Sequence, residues 1–481
     1  MNEFRCTLFL VLACLVSSTR AEPARPNVLF IFIDDMGWKD PSFMGSDFFE
    51  TPHLDRLASE GMVFTNAYSC AANCAPARAC LLSGQYTPRH QIFNVGTGAR
   101  GQSKYRRLLH VPGVDVLDPT ITTWAAAIQR SGYATATIGK WHLSKDPLPY
   151  GFDVNIGGTH SGSPPRGYYP PHKVPGLHDA PNDEYLTDRL TDEAIKFIRD
   201  NKKRPWFMYL THFAVHTPLN AKKELVDKYK TKTPGSLHKN VAMATMVQAV
   251  DDGVGRLQAT LTELGLSDNT IIVFYSDNGG FVGATDMEPL RGHKGTYYEG
   301  GIRVPFFVHW PGVVQPGRSD EPVIGVDMYR TFCSMTSVKM PANQPCDGMD
   351  LVPLLKGEVD ALPLRPLFWH FPAYLQGTNK PLEPRDPLFR SRPCSIIRRG
   401  DWKLHEYFED GGIELYNLAN DVGERTDLAK SMPRKTSDLL AELRDWRKDI
   451  NAPIPTEINP RFDAQAEAAA IRKALQAARR K

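Results

Sequence analysis

A cysteine stands at the start of a short segment that the sequence predicts as a helix. Pro76 follows Cys74 by two residues and Gly84 ends the segment, an arrangement typical of helix ends. The N-terminus of a helix attracts an anion, and Arg78, one turn on, adds a positive charge on the same side. A nucleophile in this setting favours chemistry on an oxyanion ester. Taken alone, the stretch also fits a small buried thiol in a surface helix.

Acidic side chains follow directly after two apolar runs that have the composition of buried strands. Asp34 and Asp35 follow the first run, and Asp277 and Asn278 follow the second. Ligands in open α/β sheets bind beyond the carboxyl ends of the strands, so we expect these groups to meet. Crowded carboxylates need a cation, and oxygen donors suit Ca²⁺ or Mg²⁺ better than zinc or copper. One such pair alone is typical of a turn or a helix cap, but the two pairs together predict a metal site.

Lysines and histidines lie at similar positions. Lys140 and His142 come after one strand-like run, His212 and His216 follow another, and Lys294 lies in a glycine-rich stretch. An isolated lysine is usually a solvated surface side chain. Glycines beside both lysines instead indicate a close approach of the backbone. We interpret His216 as a site residue and His212 as structural.

The elements that must position these residues alternate along the chain. Apolar runs rich in β-branched and aromatic residues lie at 28–33, 134–138, 206–210, 271–275 and 305–310, with helical patterns between them. Such runs fit strands that are buried on both faces of a parallel sheet. The predicted fold class is therefore α/β, with helices layered on a sheet.

The pattern changes after about residue 365. Short alternating strands at 395–404 and 413–417 precede a helix with one apolar face, and residues 465–481 predict a helical tail. These features predict a smaller C-terminal α+β domain. The predicted divisions are a signal peptide at 1–21, a catalytic domain at 22–365 and the C-terminal domain with its tail at 366–481.

The composition and the N-terminal residues limit the classes of protein to which the chain can belong. A net charge of +3, with no basic run that interleaves aromatic residues, argues against a nucleic-acid partner. Residues 1–21 have a positive start, an apolar core and small residues at the end, which predicts export as a periplasmic or secreted protein. Because no stretch reaches about 18 apolar residues, we expect no stable membrane insertion. In an oxidising compartment Cys333 and Cys346 are a plausible disulfide.

The motif around Cys74 resembles the signature of the type I sulfatases, in which this cysteine is oxidised after synthesis to formylglycine (3-oxoalanine). The pattern is Cys-x-Pro-x-Arg-x-x-Leu-x-Ser-Gly, and all its fixed positions are matched. One departure from the family is His293, where many members have glycine before the lysine. Further stretches similar to the family, in its order, are residues 34–40, 139–142, 215–218, 276–279 and 294–305.

The resemblance implies an alkaline-phosphatase-like fold, with a large mixed, mostly parallel sheet flanked by helices and a smaller C-terminal α+β domain. It implies a sulfuric ester hydrolase of the arylsulfatase type, matured by an enzyme that generates formylglycine. It also implies a divalent metal, Ca²⁺ or alternatively Mg²⁺, bound by Asp34, Asp35, the residue derived from Cys74, Asp277 and Asn278. Asp277 would also take the proton of the attacking hydroxyl.

The resemblance further implies roles for the basic residues. Arg78 would hold the modified residue, and Lys140 and Lys294 would neutralise sulfate oxygens. His142 would act as the base when the aldehyde re-forms, and His216 would protonate or polarise the leaving oxygen.

Other residues are candidates for contact with the substrate. Ser161 lies where some family members place a hydroxyl that orients the aldehyde hydrate, and His160 is beside it. Arg89 and His90 follow the cysteine helix closely, and Trp38 has a ring that suits stacking on a sugar or aryl group. Packing and salt bridges are the alternatives for these side chains. Their chemistry favours a sulfated carbohydrate over an aryl sulfate as the substrate.

Two other functions stay open on the sequence. A metal-dependent phosphomonoesterase or phosphonate hydrolase can have the same fold, although such enzymes usually carry serine or threonine as the nucleophile. A glycan-binding protein without turnover would result if Cys74 were never oxidised.

Overall fold

Apolar runs rich in β-branched and aromatic residues form the strands, because such side chains pack well on a pleated surface. The computed structural model describes residues 25–178, 183–378 and 385–479, so the predicted signal peptide at 1–21 lies outside the described residues. In chain order the strands are β1 (Asn27–Ile33), β2 (Met62–Phe64), β3 (Ala67–Tyr68), β4 (Ala134–Gly139), β5 (Val154–Ile156), β6 (Trp206–Thr211), β7 (Thr270–Ser276), β8 (Phe306–His309), β9 (Gly317–Ser319), β10 (Val323–Ile324), β11 (Pro366–Phe371), β12 (Leu375–Gln376), β13 (Phe389–Ser391), β14 (Cys394–Arg399), β15 (Trp402–Tyr407) and β16 (Ile413–Asn417).

Capping residues set the ends of several helices. The side chains of Thr123 and Asn240 accept hydrogen bonds from backbone N–H groups in the first turns of two helices. Gly84 ends a third helix in the left-handed conformation, with φ at 68°. In chain order the helices are α1 (Pro52–Ser59), α2 (Cys74–Ser83), α3 (Thr87–His90), α4 (Trp124–Arg130), α5 (Leu186–Asn201), α6 (Val226–Thr231), α7 (Val241–Glu263), α8 (Glu299–Ile302), α9 (Asp327–Met335), α10 (Val352–Leu355), α11 (Pro433–Asp449) and α12 (Ala464–Arg479).

The largest sheet is mixed and mostly parallel, in the order β5-β4-β6-β1-β7-β8-β2-β9. Its register places Ile33, at the end of β1, beside Ser276, at the end of β7. Gly139 at the end of β4 likewise lies beside Thr211 at the end of β6. The residues that follow these strands therefore meet at one edge of the sheet. The predicted sheet is confirmed, with one correction: the run 305–310 enters it as β8, antiparallel to β7.

Helices cover both faces of this sheet, because a strand points alternate side chains to opposite sides. On one side, Leu29 and Ile31 of β1 belong to the apolar core that includes residues of α1, α5 and α7. On the other side, Phe30 and Phe32 belong to the core that includes residues of α2, α4 and α9. Burial on both faces explains why the strand sequences are continuously apolar.

A second sheet, antiparallel in the order β11-β14-β15-β16, lies toward the C-terminus. Helix α11 packs on it, and Phe368 stacks on Trp446 with ring centroids 4.4 Å apart. This sheet with its helix is the predicted C-terminal α+β unit, and the division at residue 365 stays a prediction. The predicted tail forms α12, where Glu467 pairs with Arg392 at 2.7 Å. No helix among the described residues has the length and apolarity needed to cross a membrane.

The cysteines from Cys70 onward are free thiols. The predicted disulfide between Cys333 and Cys346 is therefore wrong for this structure. Burial, with Cys346 nearby, raises the pKa of Cys333 to about 12. Since disulfide formation needs the thiolate, a thiol in this setting reacts slowly.

A buried charge network joins the C-terminal sheet to the large domain. The Lys403 ammonium on β15 lies 2.9 Å from a carboxylate oxygen of Glu299 on α8 and 3.0 Å from one of Glu424. Tyr68 donates a hydrogen bond to Glu299 at 2.6 Å, and the Nε2 atom of His405 lies 3.1 Å from Glu424. Buried charges are tolerated only when they are paired in this way.

We expect Lys403→Met to lower the free energy of unfolding by about 3–5 kcal/mol, because two buried carboxylates would lose the cation they share. Denaturant unfolding followed by tryptophan fluorescence measures the change. The matched control is Lys448→Met, which removes an exposed lysine of α11 and should change stability by less than about 0.5 kcal/mol. Equal stability of the two variants would contradict a stabilising role for the network.

Candidate active site

The ends of β1 and β7 bring two of the predicted carboxylates together. The backbone N–H of Asp277 donates to the carbonyl of Ile33 at 3.0 Å, and that of Asp35 donates to the Asp277 carboxylate at 3.1 Å. Asp34 is held by a hydrogen bond from its N–H to the carbonyl of Ala214, after β6. All three acidic side chains are buried. The strand-end rule thus places the predicted cluster correctly.

Arg78 is fully buried against this cluster. Its Nε and Nη2 atoms lie 3.1 and 3.0 Å from the same carboxylate oxygen of Asp277. Its Nη1 donates to the carbonyl of Lys140 at 3.0 Å and to the hydroxyl of Thr211. Burial would lower the pKa of Arg78, but Asp277, with smaller contributions from other buried groups, holds it above its usual range. The guanidinium therefore orients Asp277, and the implied role of Arg78 toward the modified residue at position 74 stays a prediction.

Each of the two predicted lysines is paired with a carboxylate. The Lys140 ammonium lies 2.6 Å from Asp34, and the Lys294 ammonium lies 2.5 Å from Asp35. Burial would raise the pKa of Asp35, but Lys294, with smaller contributions from His216 and Lys140, holds it below its usual range. For Asp34 the burial effect wins, and its pKa lies well above the usual value despite Lys140.

Lys140 lies deep in the site because a glycine lets two strand ends approach. Gly139 has φ of 110°, and a Cβ atom there would lie 1.9 Å from the carbonyl oxygen of Thr211. The same carbonyl accepts a hydrogen bond from the N–H of Lys140 at 2.7 Å. A side chain at position 139 would push these backbones apart.

Three buried oxygen atoms in the cluster lack a hydrogen-bond partner. They are Oδ1 of Asp34, Oδ2 of Asp35 and Oδ1 of Asn278. Ligand atoms of Asp34, Cys74 and Asp277 all lie within 4.8 Å of one another, as do those of Asp34, Asp35 and His216. Buried oxygens are normally satisfied, so unpartnered ones on neighbouring carboxylate and amide side chains fit a hard cation. The residues present therefore suit the predicted Ca²⁺ or Mg²⁺.

Cys74 is the first residue of α2 and is only 3% exposed. Burial would raise the pKa of its thiol, but the ammonium groups of Lys140 and Lys294 outweigh burial, so the pKa lies below the usual value. The loop that carries Lys294 is fixed next to the cysteine, since the N–H of Gly295 donates to the carbonyl of Ala72 at 2.8 Å. The position thus favours an anion, as predicted for the helix N-terminus.

The two predicted site histidines are held neutral near the cluster. Burial, followed by Lys140, lowers the pKa of His142 well below the usual value, and its Nδ1 atom has no partner. The Nδ1 atom of His216 donates to the carbonyl of Thr217 at 2.6 Å, which leaves Nε2 as the acceptor, 3.8 Å from Asp35. Burial also lowers the pKa of His216. His212 is buried with a pKa lowered to about 4, which fits its structural interpretation.

The predicted substrate residues lie in different surroundings. Ser161 donates its hydroxyl proton to the carbonyl of Ser163 at 2.8 Å. His160, beside it, is half-exposed, 3.7 Å from Asp115, and its ring centroid is 6.3 Å from that of His142. The loop therefore lies at the site, and its hydroxyl is engaged with its own backbone.

Arg89, His90 and Trp38 have structural partners. Arg89 pairs with Asp347 at 2.9 Å, and His90 is buried with its Nε2 atom 3.3 Å from the sulfur of Cys80. Burial lowers the pKa of His90 to about 3. The indole N–H of Trp38 donates to the carbonyl of Thr65, and Arg303 lies over its ring. The salt-bridge and packing alternatives therefore describe these three side chains.

Sequence reasoning missed two contributions to the site. Thr211 binds both Arg78 and the Lys140 carbonyl, and its position beside Gly139 in the sheet register was the available signal. Asn73, directly before Cys74, donates to Asn94 at 3.2 Å. That contact joins the cysteine helix to a distant loop and has no local sequence signal.

Comparison with known proteins gives matches over most of the chain. Residues 26–338 match the family described as Sulfatase, and residues 293–449 match the one described as N-sulphoglucosamine sulphohydrolase, C-terminal. The chain is 32% identical to a Formosa agariphila protein named Sulfatase, over 92% of this chain and 93% of the other. It is 31% identical to N-acetylgalactosamine-6-sulfatase of Mus musculus, over 76% of this chain and 72% of the other.

A solved structure has the same architecture. Ps i-CgsB in complex with k-i-k-neocarrahexaose superposes with a TM-score of 0.71 at 28% identity, over 94% of this chain and 98% of that chain.

Proposed function

The chain belongs to the sulfatase family and is a sulfuric ester hydrolase, and from that premise we propose that it cleaves sulfate monoesters of carbohydrates through a formylglycine derived from Cys74. The observation that carries the proposal is the set of partnerless oxygens on Asp34, Asp35 and Asn278, buried beside Cys74 at a helix N-terminus. That arrangement supports a bound divalent cation, Ca²⁺ or Mg²⁺, next to the nucleophile.

The divalent cation and the formylglycine would supply chemistry that the twenty standard side chains lack. Asp34, Asp35, Asp277 and Asn278 would hold the cation, which draws electrons from a sulfate oxygen and lowers the pKa of a neighbouring hydroxyl. Formylglycine, as its hydrate, offers a hydroxyl for attack on sulfur and a second one for release of sulfate.

The chain's own residues move the protons. Burial would raise the pKa of Asp277, but Arg78, Lys140 and Lys294 together lower it, so Asp277 stays ionised and is placed to accept the proton of the attacking hydroxyl. His142 is neutral with a free Nδ1 atom, so it can accept the proton of the second hydroxyl. His216 presents Nε2 toward Asp35, and would give the leaving alcohol its proton only after Nε2 is itself protonated, a form that the negative charge of Asp35 favours.

The charges of the site favour an anionic ester. The cluster contains three ion pairs, so its formal charges sum to zero. A divalent cation would add two positive charges that attract a sulfate monoester, and the proton that the attacking hydroxyl gives to Asp277 stays in the site and leaves the total charge unchanged. The pairs are Asp34 with Lys140, Asp35 with Lys294, and Asp277 with Arg78.

The proposed function also includes a class of substrate, a maturation step and a location for the protein. Relatives named N-acetylgalactosamine-6-sulfatase and a structure in complex with k-i-k-neocarrahexaose support a carbohydrate substrate. The protein would need a maturation enzyme that oxidises Cys74. Residues 1–21 favour export to the periplasm or the outside of the cell.

Parallel assays test the reaction class. With protein from a host that makes formylglycine, we expect kcat/KM for a sulfate monoester to exceed that for the phosphate monoester of the same alcohol by at least about 100-fold, because the nucleophile derives from a cysteine in the sulfatase pattern, whereas phosphate-cleaving enzymes of this fold usually carry serine or threonine. Mass spectrometry of the peptide 71–78 should give the aldehyde in place of the thiol. A preference for the phosphate monoester would refute the proposed reaction. An unmodified Cys74 thiol in active protein would refute formylglycine as the nucleophile.

A further inference from the structure

A half-buried arginine from the C-terminal part of the chain lies at the edge of the site. Arg390, on β13, donates through Nε to the carbonyl of Gln376 at 3.0 Å and through Nη1 to the carbonyl of Lys294 at 3.3 Å. Lys294 is the residue whose ammonium contacts Asp35. The guanidinium is therefore separated from the carboxylate cluster by the length of one lysine side chain.

Arg390 has no carboxylate partner among residues 25–178, 183–378 and 385–479. Both of its hydrogen bonds go to backbone carbonyls, which fix the side chain without cancelling its charge. Its position is tight, since a Cβ atom at Gly295 would lie 3.0 Å from the Cδ atom of Arg390. A fixed, partly desolvated and uncompensated guanidinium is a strong site for an oxyanion.

A second arginine faces the same place. Arg100 is exposed, and its N–H donates to the carbonyl of Tyr374 at 2.9 Å, next to β12. The adjoining Gly101 packs against the ring of Phe389, the residue before Arg390. Burial and the neighbouring charge of Arg100 lower the pKa of Arg390 to about 10, while Asp35 opposes the shift. Two like charges held side by side are relieved when an anion binds between them.

An unpartnered acceptor lies beside the two arginines. The Oε1 atom of Gln376 is buried and has no hydrogen-bond partner, and Gln376 pairs with Phe389 between β12 and β13. A sugar hydroxyl is a donor that would satisfy it. The surroundings of Arg390 thus offer groups for both an anion and a hydroxyl.

We propose that Arg390 and Arg100 form a second anion subsite, which binds a charged group of the substrate next to the sulfate ester that is cleaved. The inference rests on the proposed function, which it extends from sulfated carbohydrates to carbohydrates that carry at least two anionic groups. A sulfate ester and a uronate carboxylate each present two oxygen atoms that a guanidinium can bind through paired hydrogen bonds. Arg390 is thus a specificity-determining residue, supplied by the C-terminal part of the chain.

Three disaccharides with the same cleavable sulfate test the proposal. One has a neutral neighbouring sugar, one carries a second sulfate ester, and one carries a uronate carboxylate. For Arg390→Gln we expect the ratio of kcat/KM between a doubly charged and the singly charged substrate to fall by about tenfold or more, because a charge-assisted contact is lost. The substrate whose ratio falls most identifies the second anion. Arg390→Lys should retain part of the ratio, and Arg100→Gln should lower it less, since Arg100 is exposed.

The matched control is Arg256→Gln, which makes the same charge change at an exposed pair with Asp192. Its ratio should stay within about twofold of the wild-type ratio, as for a typical surface substitution. An equal loss on all three substrates in Arg390→Gln would mean that Arg390 only supports the Lys294 loop, and the subsite would be refuted. No change in the ratio would refute it as well.

Binding measurements separate this proposal from the proposed function. In a Cys74→Ala background, titration calorimetry should give a Kd for the doubly charged disaccharide that rises about tenfold when Arg390 is replaced by Gln. If the wild-type protein hydrolyses no sulfate ester and this shift is still measured, the proposed function fails and the subsite stands. If hydrolysis is measured and the Kd does not shift, the subsite fails alone.

Discussion

Replacing Cys74 with alanine should lower turnover of a sulfate ester by at least about 10⁴-fold, the scale seen when a covalent nucleophile is removed. The side chains around it cannot take over, because Lys140 and Lys294 are paired with carboxylates and Arg78 is bound to Asp277. The change removes one buried sulfur atom, so the free energy of unfolding should fall by only about 1 kcal/mol. Turnover assays on purified protein, together with thermal unfolding, measure both effects.

The matched control for this variant lies on the same helix. Cys80 is also buried in α2, but it contacts His90 rather than the charged cluster. Cys80→Ala should therefore keep turnover within about threefold, as expected of a residue outside the reacting groups. A Cys74→Ala protein that retained a tenth of the wild-type rate would eliminate Cys74 as the source of the nucleophile.

Asp35→Asn should abolish tight binding of the divalent cation and lower turnover by about 10³-fold or more. The substitution removes one of the partnerless oxygens, and it also removes the charge that Lys294 now neutralises. Uncompensated, the lysine would repel a cation. Calorimetric titration of Ca²⁺ into chelator-treated protein should give a Kd for the variant at least about 100-fold above that of the wild type.

Thermal unfolding provides a second readout for the metal. Wild-type protein should gain stability as Ca²⁺ is added, because a ligand that binds only the folded state stabilises it, and Asp35→Asn should gain none. Asp268→Asn removes an exposed carboxylate that precedes β7, at the opposite end of that strand from Asp277, and should respond to Ca²⁺ as the wild type does. Equal calcium responses in wild type and Asp35→Asn would exclude Asp35 as a ligand.

The framework of the site can be predicted from the sequence because the positions of the strands depend on local apolar patterns. Apolar runs place β1 and β7 in a sheet buried on both faces, and the polar residues that follow must leave it at the carboxyl end. The register of Ile33 with Ser276 then brings Asp35 and Asp277 together. Proline, glycine and the apolar pattern place α2 with Cys74 at its first residue, as expected.

The pairing of charges inside the site could not be predicted in the same way. Arg78 and Asp277 are 199 residues apart, and the choice of Asp277 over Cys74 as partner depends on three-dimensional distances. The partners of the substrate candidates Arg89 and His90 were not predictable for a related reason: these residues follow α2 in the sequence, but α3 turns them toward Asp347 and Cys80. Their contact with a substrate stays a prediction. Arg390 comes from another sheet, and no motif surrounds it.

The deep burial of Cys74 also bears on the kinetics of biosynthesis. The thiol is 3% exposed, and the groups that enclose it, Asp277 and Lys294, are translated about two hundred residues later. On the proposed function, a modifying enzyme would therefore reach the cysteine only while β7 and the Lys294 loop have yet to join the sheet. Oxidation would then compete with folding during that interval. The specific activity of a preparation should thus depend on how slowly the chain was made and folded, and not on any later treatment of the finished protein.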